Sequence, residues 1–262
     1  MKFEEIRRKF KYALYIPRGI TNKPKKVGAA ISDLFCIRNN GGWETYFELI
    51  NVPALIMGNY DVPNSGIELN FFDENGIHLK ALELRYKSSR QTINICQLIK
   101  EHNLQSAKTF AIFHKNTNLA LSADSFLAER GYVGYKRISD PIRGYVHGNL
   151  DSVAKMGKHI SAIGNLGVLK REYRVQHVLR GPANYEFFLI NPTRKKVKVE
   201  FGCVSKFENR IEIKNIKSRG ISQFNYSAKQ GEDIYIYIKS KLYLGRPLVF
   251  RVLENSFDVF HG

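Results

Sequence analysis

The sequence predicts an all-β protein made of two tandem antiparallel β-sandwich modules that arose by internal duplication, with a short N-terminal helix. Three observations predict this fold. Short segments alternate apolar and polar residues, as half-buried strands do, and Asn-Gly turns of the hairpin type separate several of them. Segments of the first half also recur in the same order in the second half.

The repeated segments define two diverged copies of one strand-rich unit. Recurrence in one order, with insertions only between segments, indicates duplication. Each copy ends on the same dipeptide, His147-Gly148 and His261-Gly262. The other matched pairs are Tyr46–Asn51 with Glu186–Asn191, Ile67–Phe71 with Val197–Phe201, Thr109–Phe113 with Ile234–Ile238, and Gly134–Arg137 with Val249–Val252.

Turn signals fix several strand ends. Asn75-Gly76 lies between two apolar runs, and both residues tolerate the positive φ of a tight hairpin. The matched pair Tyr46–Asn51 and Glu186–Asn191 is called here the first anchor. The spacing between the copies shortens after it, so the first copy carries an insertion between Val52 and Gly66. About six or seven strands are expected in each copy, at the spacing of a sandwich.

The predicted organisation has four parts, and three segments fall outside the strand pattern: residues 2–14, 93–103 and 149–167. Residues 2–14 place Phe3, Ile6, Phe10 and Leu14 on one helical stripe, which packs on the protein or lies on an anionic membrane surface through residues 1–18. Residues 93–103 fit a short helix or a strand with a polar end. The parts are a basic arm (1–27), a first sandwich (28–150), a linker (151–167) and a second sandwich (168–262).

Charge is distributed unevenly along the chain. The net charge is +17 over 262 residues, and it divides into +7 for residues 1–27, +1 for 28–167 and +9 for 168–262. A basic face attracts polyanions such as nucleic acid, anionic lipid or acidic glycan. The alternative interpretation is a compositional bias towards lysine without any partner.

Cysteine use and the N-terminus both favour the cytoplasm. Cys36, Cys96 and Cys203 are widely spaced and odd in number, which is typical of buried reduced thiols. The first residues are too charged for a secretory signal, and no apolar run is long enough to span a bilayer. The sequence therefore predicts a cytoplasmic protein, peripheral to a membrane if the N-terminal helix binds lipid.

Familiar catalytic and cofactor motifs are absent from the sequence. It contains no phosphate-binding Gly-rich loop, no dinucleotide fingerprint, no Gly-x-Ser-x-Gly elbow and no His-Glu-x-x-His. We therefore predict no cofactor and favour a binding module over an enzyme.

The strand pattern and the Asn-Pro turn that follows Phe187 resemble tandem immunoglobulin-like or fibronectin-like β-sandwich modules. The terminal His-Gly closure is similar to that of uncharacterised bacterial proteins associated with surface-polysaccharide metabolism. The resemblance covers most of residues 28–262. It implies an architecture and a carbohydrate-related context, and it identifies no catalytic residues.

The richest polar segment is the predicted ligand site. Aromatic faces stack on the C–H surface of a sugar, and cationic or planar side chains pair with its hydroxyls. The competing interpretation is an ordinary strand pair with its aromatics in the core. The proposed ligand-binding residues are Glu129, Arg130, Tyr132, Tyr135, Arg143, His147 and Asn149.

Three weaker candidates accompany this segment. Three histidines could hold a metal if they converged, but the simpler role is structural, at the end of each last strand. A turn with three consecutive cations could bind an anion, or be merely solvated. Trp43 is favoured as a core residue over an exposed stacking platform. The histidines are His147, His177 and His261, and the cations are Arg194, Lys195 and Lys196.

Three functional hypotheses follow. The leading one is a non-catalytic or accessory protein of surface-polysaccharide metabolism that binds a glycan or a sugar-containing anion. The second is a sugar-modifying enzyme with a site between the copies, around Arg130, His147 and His177. The third is a charge-driven nucleic-acid or virion-associated binder. The ligand and the oligomeric state are not predicted.

Overall fold

The computed structural model describes residues 20–24, 29–51, 66–115, 128–129 and 131–262, with backbone only for 128–129. The predicted N-terminal helix, its membrane contact and Arg130 lie outside the described residues. So does the insertion after the first anchor, apart from its last residue, Gly66.

The described chain consists of strands and one short helix, α1 (Ile95–Glu101). In the first half the strands are β1 (Ala30–Ser32), β2 (Phe35–Cys36), β3 (Trp43–Ile50), β4 (Gly66–Asp73), β5 (His78–Arg85), β6 (Arg90–Asn94), β7 (Ala107–Lys115), β8 (Ala128–Glu129), β9 (Tyr132–Arg137) and β10 (Arg143–His147). In the second half they are β11 (Val153–Met156), β12 (His159–Ala162), β13 (Leu166–Arg174), β14 (Leu179–Arg180), β15 (Ala183–Ile190), β16 (Val197–Ser205), β17 (Asn209–Ile216), β18 (Ile221–Ala228), β19 (Asp233–Leu242), β20 (Leu248–Val252) and β21 (Phe257–His261).

These strands form five sheets, numbered here by their order in space. Sheet I is β12-β11-β1-β8, sheet II is β2-β7-β4-β5, and sheet III is β10-β9-β3-β6. Sheet IV is β18-β15-β20-β21, and sheet V is β13-β19-β16-β17 with β14 added beside β19. All described pairings between these strands are antiparallel except that of β1 with β8.

The prediction of an all-β protein is confirmed, with 61% of the described residues in strands and 3% in helix. The arrangement as two tandem sandwiches is wrong, because the sheets are arranged in a five-bladed, propeller-like order. Neighbouring sheets share buried side chains from I through to V. Sheet V also contacts sheet I. Gly164, which follows β12, forms a β-bridge with Thr193, which precedes β16. The blades are not built from consecutive strands, since the chain alternates between sheets II and III and then between IV and V.

A second correction concerns residues 151–167, which were predicted as a linker. They contain the hairpin of β11 and β12, which pairs with β1 in sheet I. Sheet I covers the outer side of sheet II, where Val153 packs against Phe72 and Phe113. The short, glycine-containing strands of this segment lacked the alternation that marked the others. Its partner strand β1 lies more than a hundred residues earlier, so local pattern could not reveal the pairing.

Sheets III and IV have equivalent strand orders, β10-β9-β3-β6 and β21-β20-β15-β18. Sheets II and V are related in the same way, as β2-β7-β4-β5 and β13-β19-β16-β17. The registers of sheets III and IV agree as well, since Phe47 pairs with Val133 and Phe187 pairs with Val249. Gly134 therefore corresponds to Phe250, and the predicted match of Gly134 with Val249 is wrong by one residue. Positions in the two halves can therefore be compared residue by residue.

Contacts between the two halves are extensive. Arg38 of the first half pairs with Glu186 of the second at 2.6 Å, and its guanidinium lies 3.6 Å from the ring centroid of Trp43. Trp43 is buried edge-on to Phe250, as favoured from the sequence. The backbone also joins the halves, because the Ile221 amide donates to the Glu74 carbonyl at 3.0 Å. One apolar core therefore includes residues of both halves.

The hairpin of β4 and β5 confirms its turn signal. Gly76 has a φ of +74°, and the Asp73 carboxylate accepts hydrogen bonds from the Asn75 and Ile77 amides. Residues 93–103, left open between helix and strand, include the end of β6 and then α1, which Asn94 caps by accepting from the Gln97 amide.

Candidate functional site

The outer face of sheet III gathers three of the predicted ligand residues. Cross-strand partners share a face of a sheet. Tyr132 lies opposite Glu48 on one side and His147 on the other, and Arg143 lies opposite Lys136. This face, called here the polar face, comprises Glu44, Tyr46, Glu48, Thr92, Tyr132, Lys136, Arg143, Tyr145 and His147.

Glu48 is the centre of the polar face. It is buried, yet its carboxylate accepts hydrogen bonds from the Thr92 hydroxyl at 2.9 Å and the Tyr145 hydroxyl at 3.1 Å. Two guanidinium groups stand farther out, Arg90 at 3.7 Å and Arg143 at 3.9 Å. The site therefore has a fixed acceptor ringed by donors, which suits a ligand that both donates and accepts hydrogen bonds.

Two exposed tyrosines flank this carboxylate. Tyr132 is 53% exposed and Tyr145 is 42% exposed. The ring of Tyr145 lies over Gly134, where a Cβ would stand only 2.7 Å from its Cε1 atom. Gly134 thus lets the ring lie close to the sheet, with its other side turned outward. Exposed aromatic faces held in this way can stack on a flat, apolar ligand surface.

Arg143 links two tyrosines of the polar face, Tyr46 and Tyr145. Its guanidinium lies 3.8 Å from the ring centroid of Tyr46, and the hydrogen bond to the Tyr145 hydroxyl raises the pKa of the guanidinium. The Tyr46 hydroxyl donates to Glu44 at 2.6 Å, and burial raises the pKa of Tyr46. The cation is therefore held between two tyrosines instead of being free in solvent.

Tyr135 does not belong to the site, and its prediction as a stacking residue is not supported. It points to the opposite face from Tyr132, because side chains alternate along β9. It is 1% exposed, its hydroxyl donates to the Cys36 carbonyl at 2.9 Å, and its ring lies edge-on to Phe250. Burial raises its pKa well above the ordinary value. Tyr135 is a core residue.

Asn149 likewise lies away from the polar face. Its backbone amide donates to the Asp33 carboxylate, and its side-chain amide donates to the Arg246 carbonyl at 3.1 Å. Asp33 also accepts from the Ser152 hydroxyl at 2.6 Å. Burial raises the pKa of Asp33 to about 6, against the hydrogen bonds that lower it. Asn149 thus anchors the junction of the two halves. The side chain of Glu129 is not among those described.

The repeat-equivalent histidines meet at this junction. The rings of His147 and His261 are 5.4 Å apart, and Nε2 of His261 donates to the His147 carbonyl at 2.8 Å. Burial lowers the pKa of His261 to about 4, so the ring is neutral at pH 7. His177 instead packs on the ring of Phe260 at 4.5 Å. Phe260 and His261 are adjacent along β21 and therefore face opposite sides of the sheet.

This geometry does not assemble a metal centre. Within the described part of the chain, no group of three His, Cys, Asp or Glu side chains could hold a metal ion. His147 and His261 interact through the backbone carbonyl described above, as expected for a structural role. The predicted enzyme site also depended on His147 lying beside His177, and the structure does not bring these two residues together.

A small crevice lies between the halves, beside these histidines. It has about 60 Å³ of free space and is lined by Asp33, His147, Asn149, Arg246 and His261 among others. Since one water needs roughly 10–15 Å³ on this measure, the crevice holds a few waters and no sugar ring. It is too small to be the main ligand site.

The predicted anion turn is exposed but partly structural. Arg194 donates from Nε to the Ala162 carbonyl at 3.1 Å. The Lys195 carbonyl accepts from the side chains of Asn191 and Thr193, which shapes the turn. Lys195 and Lys196 project into solvent. No described feature adds a second recognition group to these cations.

The second half has no counterpart of the polar face. The equivalent face of sheet IV packs against the first half, where Phe188 and Phe250 lie 5.5 Å apart. From the registers of the two sheets, Glu48 corresponds to Phe188, Tyr132 to Leu248, Gly134 to Phe250, Arg143 to Phe257 and Tyr145 to Val259.

Sequence reasoning identified Tyr132, Arg143 and His147 but missed Glu48, Tyr46 and Thr92. Tyr46 and Glu48 were noticed only as part of the repeat anchor. The sequence does contain a signal for Tyr46 and Glu48. At these two alternate positions the first copy has Tyr and Glu, whereas the second copy has Glu186 and Phe188.

Comparisons with known proteins identify no relative: no family model, no curated protein and no solved structure matches the chain. In the described part of the chain, no helix is long and apolar enough to cross a membrane.

Proposed function

We propose that this protein is a non-catalytic or accessory binding protein whose ligand is a glycan or a sugar-containing anion held on the polar face of sheet III. One observation carries the proposal. Two exposed tyrosines, Tyr132 and Tyr145, flank the hydrogen-bonded carboxylate of Glu48 on a face whose counterpart in the second half is apolar and packed away.

Saccharide chemistry suits this arrangement. A pyranose ring offers an apolar C–H surface to an aromatic face, and its hydroxyls both donate and accept hydrogen bonds. The Glu48 carboxylate would accept from hydroxyls, while Arg90 and Arg143 would donate to hydroxyls or to an acidic substituent. These cations favour an anionic sugar over a neutral one.

The proposal includes an origin by internal duplication, which the equivalent strand orders and registers of sheets III and IV support. One copy kept a polar face, and the other became support for it. The cytoplasmic location and the link to surface-polysaccharide metabolism remain parts of this proposal. The three free cysteines are compatible with that location.

A glycan array followed by calorimetric titration of the best ligand tests the proposal. Tyr132→Ala removes a stacking surface, and Glu48→Gln removes the charged acceptor. Each should weaken binding by about 1–3 kcal/mol. Gly134→Ala should weaken it as well, since the new Cβ displaces the Tyr145 ring.

Matched controls separate the site from the fold. Tyr235→Ala removes an exposed tyrosine from sheet V, and Gly245→Ala adds a Cβ whose nearest neighbour is 3.4 Å away, an ordinary contact. Both should leave glycan binding and the thermal midpoint unchanged. Equal losses from Tyr132→Ala and Tyr235→Ala, or an array without any ligand, would refute the proposal.

A further inference from the structure

The outer face of sheet V is open where the equivalent face in the first half is covered. Sheet I, which includes β11 and β12 of the second half, packs on Phe72, Ala111 and Phe113 of sheet II. Phe72 and Gly202 directly follow the matched residues Phe71 and Phe201 in β4 and β16, so they are equivalent positions. Around Gly202 the described residues form an exposed surface instead. Its exposed apolar members include Val204, Ile211, Ile213 and Tyr235, and the exposed Phe207 lies in the adjoining turn between β16 and β17.

Aromatic rings and lysines lie close together on this surface and at its adjoining turns. Tyr235 is 65% exposed and Phe207 is 53% exposed. Two ammonium groups lie near the Phe207 ring centroid, Lys206 at 4.7 Å and Lys229 at 5.5 Å. The Tyr237 ring lies directly over Gly202, because a Cβ there would be 2.0 Å from the ring, and one of its faces is therefore turned outward.

The charges on this face are only partly neutralised. Glu172 pairs with Arg174 at 2.7 Å, and Lys239 reaches Glu172 at 3.4 Å and Glu200 at 3.6 Å. Two more exposed lysines, Lys198 and Lys241, lie on the same face. Among the described residues, neither has a carboxylate within ion-pair distance. The surface keeps positive charge beside its aromatic rings.

We infer that the outer face of sheet V binds single-stranded nucleic acid. Unpaired bases present flat faces that stack on exposed aromatic rings, and the phosphates between them pair with lysines. Both elements occur here on one sheet, within the half of the chain whose net charge is +9. A duplex hides its bases, so aromatic rings favour the single strand. A second copy of this chain would bring like charges together.

Fluorescence anisotropy with a labelled oligothymidylate tests this inference on the whole chain. Tyr235→Ala should weaken binding roughly 5- to 150-fold, the range for losing one stacked base. Lys198→Ala with Lys241→Ala should flatten the plot of log affinity against log salt by about 0.7 for each phosphate that is no longer neutralised. All three residues are exposed, so thermal unfolding should not change.

Tyr132→Ala, on sheet III, is the matched control and should bind the oligonucleotide like the wild type. A duplex of the same length should bind more weakly than the single strand. The inference is overturned if Tyr132→Ala and Tyr235→Ala weaken binding equally. It is also overturned if only anionic phosphatidylserine vesicles bind, or if the face is buried in a concentration-dependent dimer.

Discussion

Two equivalent sheet faces differ in solvent exposure in this molecule. The polar face of sheet III stays open around Glu48, while the matching face of sheet IV, around Phe188 and Phe250, is buried against the first half. The backbones match strand for strand, so the side chains decide which face meets water. The difference teaches that one scaffold supplied both a candidate binding surface and a surface for internal packing.

Removing an aromatic from the buried face tests this comparison most severely. Phe250 is 0% exposed and touches Trp43, Tyr135 and Phe188 edge-on. Phe250→Ala should reduce the free energy of unfolding by about 3–5 kcal/mol, through reduced burial and the cavity left behind. Urea denaturation measures this change.

Tyr145→Ala, on the open face, is the control for Phe250→Ala. Its side chain is partly solvated, so we expect a loss of roughly 1 kcal/mol or less. Similar losses for the two variants would show that the faces are not opposites in packing.

The ion pair between Arg38 and Glu186, at the buried face of sheet IV, provides a second test of the comparison. Arg38 lies over Trp43 and pairs with Glu186, the counterpart of Tyr46. Burial lowers the pKa of Arg38, which therefore depends on that carboxylate. Arg38→Ala leaves Glu186 without its cation and should cost about 3 kcal/mol.

Arg174→Ala removes a highly exposed cation from Glu172 and is the matched control, with an expected cost of about 0–1 kcal/mol. Thermal and urea unfolding of both variants would give the difference. A cost for Arg38→Ala as small as that of the control would mean that the halves pack without the ion pair.

Sequence patterns were informative where the signal is local. Alternation and Asn-Gly turns identified many of the strands, and the repeat identified which strands correspond. It misaligned β9 with β20 by one residue and β7 with β19 by three. The polar character of residues 129–149 indicated three side chains that share the polar face, Tyr132, Arg143 and His147. Tyr135 was misassigned because composition ignores the alternation of side chains along β9. Sheet I was missed because its pairs join distant, short strands.

The histidines at the ends of the two copies, His147 and His261, allow a comparison of stability as a function of pH. His261 has a pKa of about 4 in the folded protein, below its ordinary 6.5. Because the folded state binds this proton less tightly, the stability from neutral His261 is complete above about pH 6.5 and is lost as the pH falls towards 4. Asp33, whose pKa is raised to about 6, changes stability in the opposite direction over a similar range.

The difference between wild type and His261→Gln isolates the histidine, since Asp33 contributes to both proteins. This difference should shrink by up to about 3 kcal/mol between pH 7 and pH 4, at about 1.4 kcal/mol for each pKa unit. An unchanged difference for His261→Gln would show that its ring is not buried in the neutral form.

The smallest expected effect concerns Tyr132 and its counterpart Leu248. Tyr132 is 53% exposed, whereas Leu248 is 8% exposed within the shared core. Tyr132→Ala should change the free energy of unfolding by about 0.5 kcal/mol or less, because a surface side chain loses little burial. Leu248→Ala should cost about 2–5 kcal/mol. Glycan binding should respond in the reverse order, since Tyr132 has the exposed ring. A Tyr132→Ala variant that binds normally yet unfolds easily would make the polar face a packing surface, and the contrast between the two sheets would disappear.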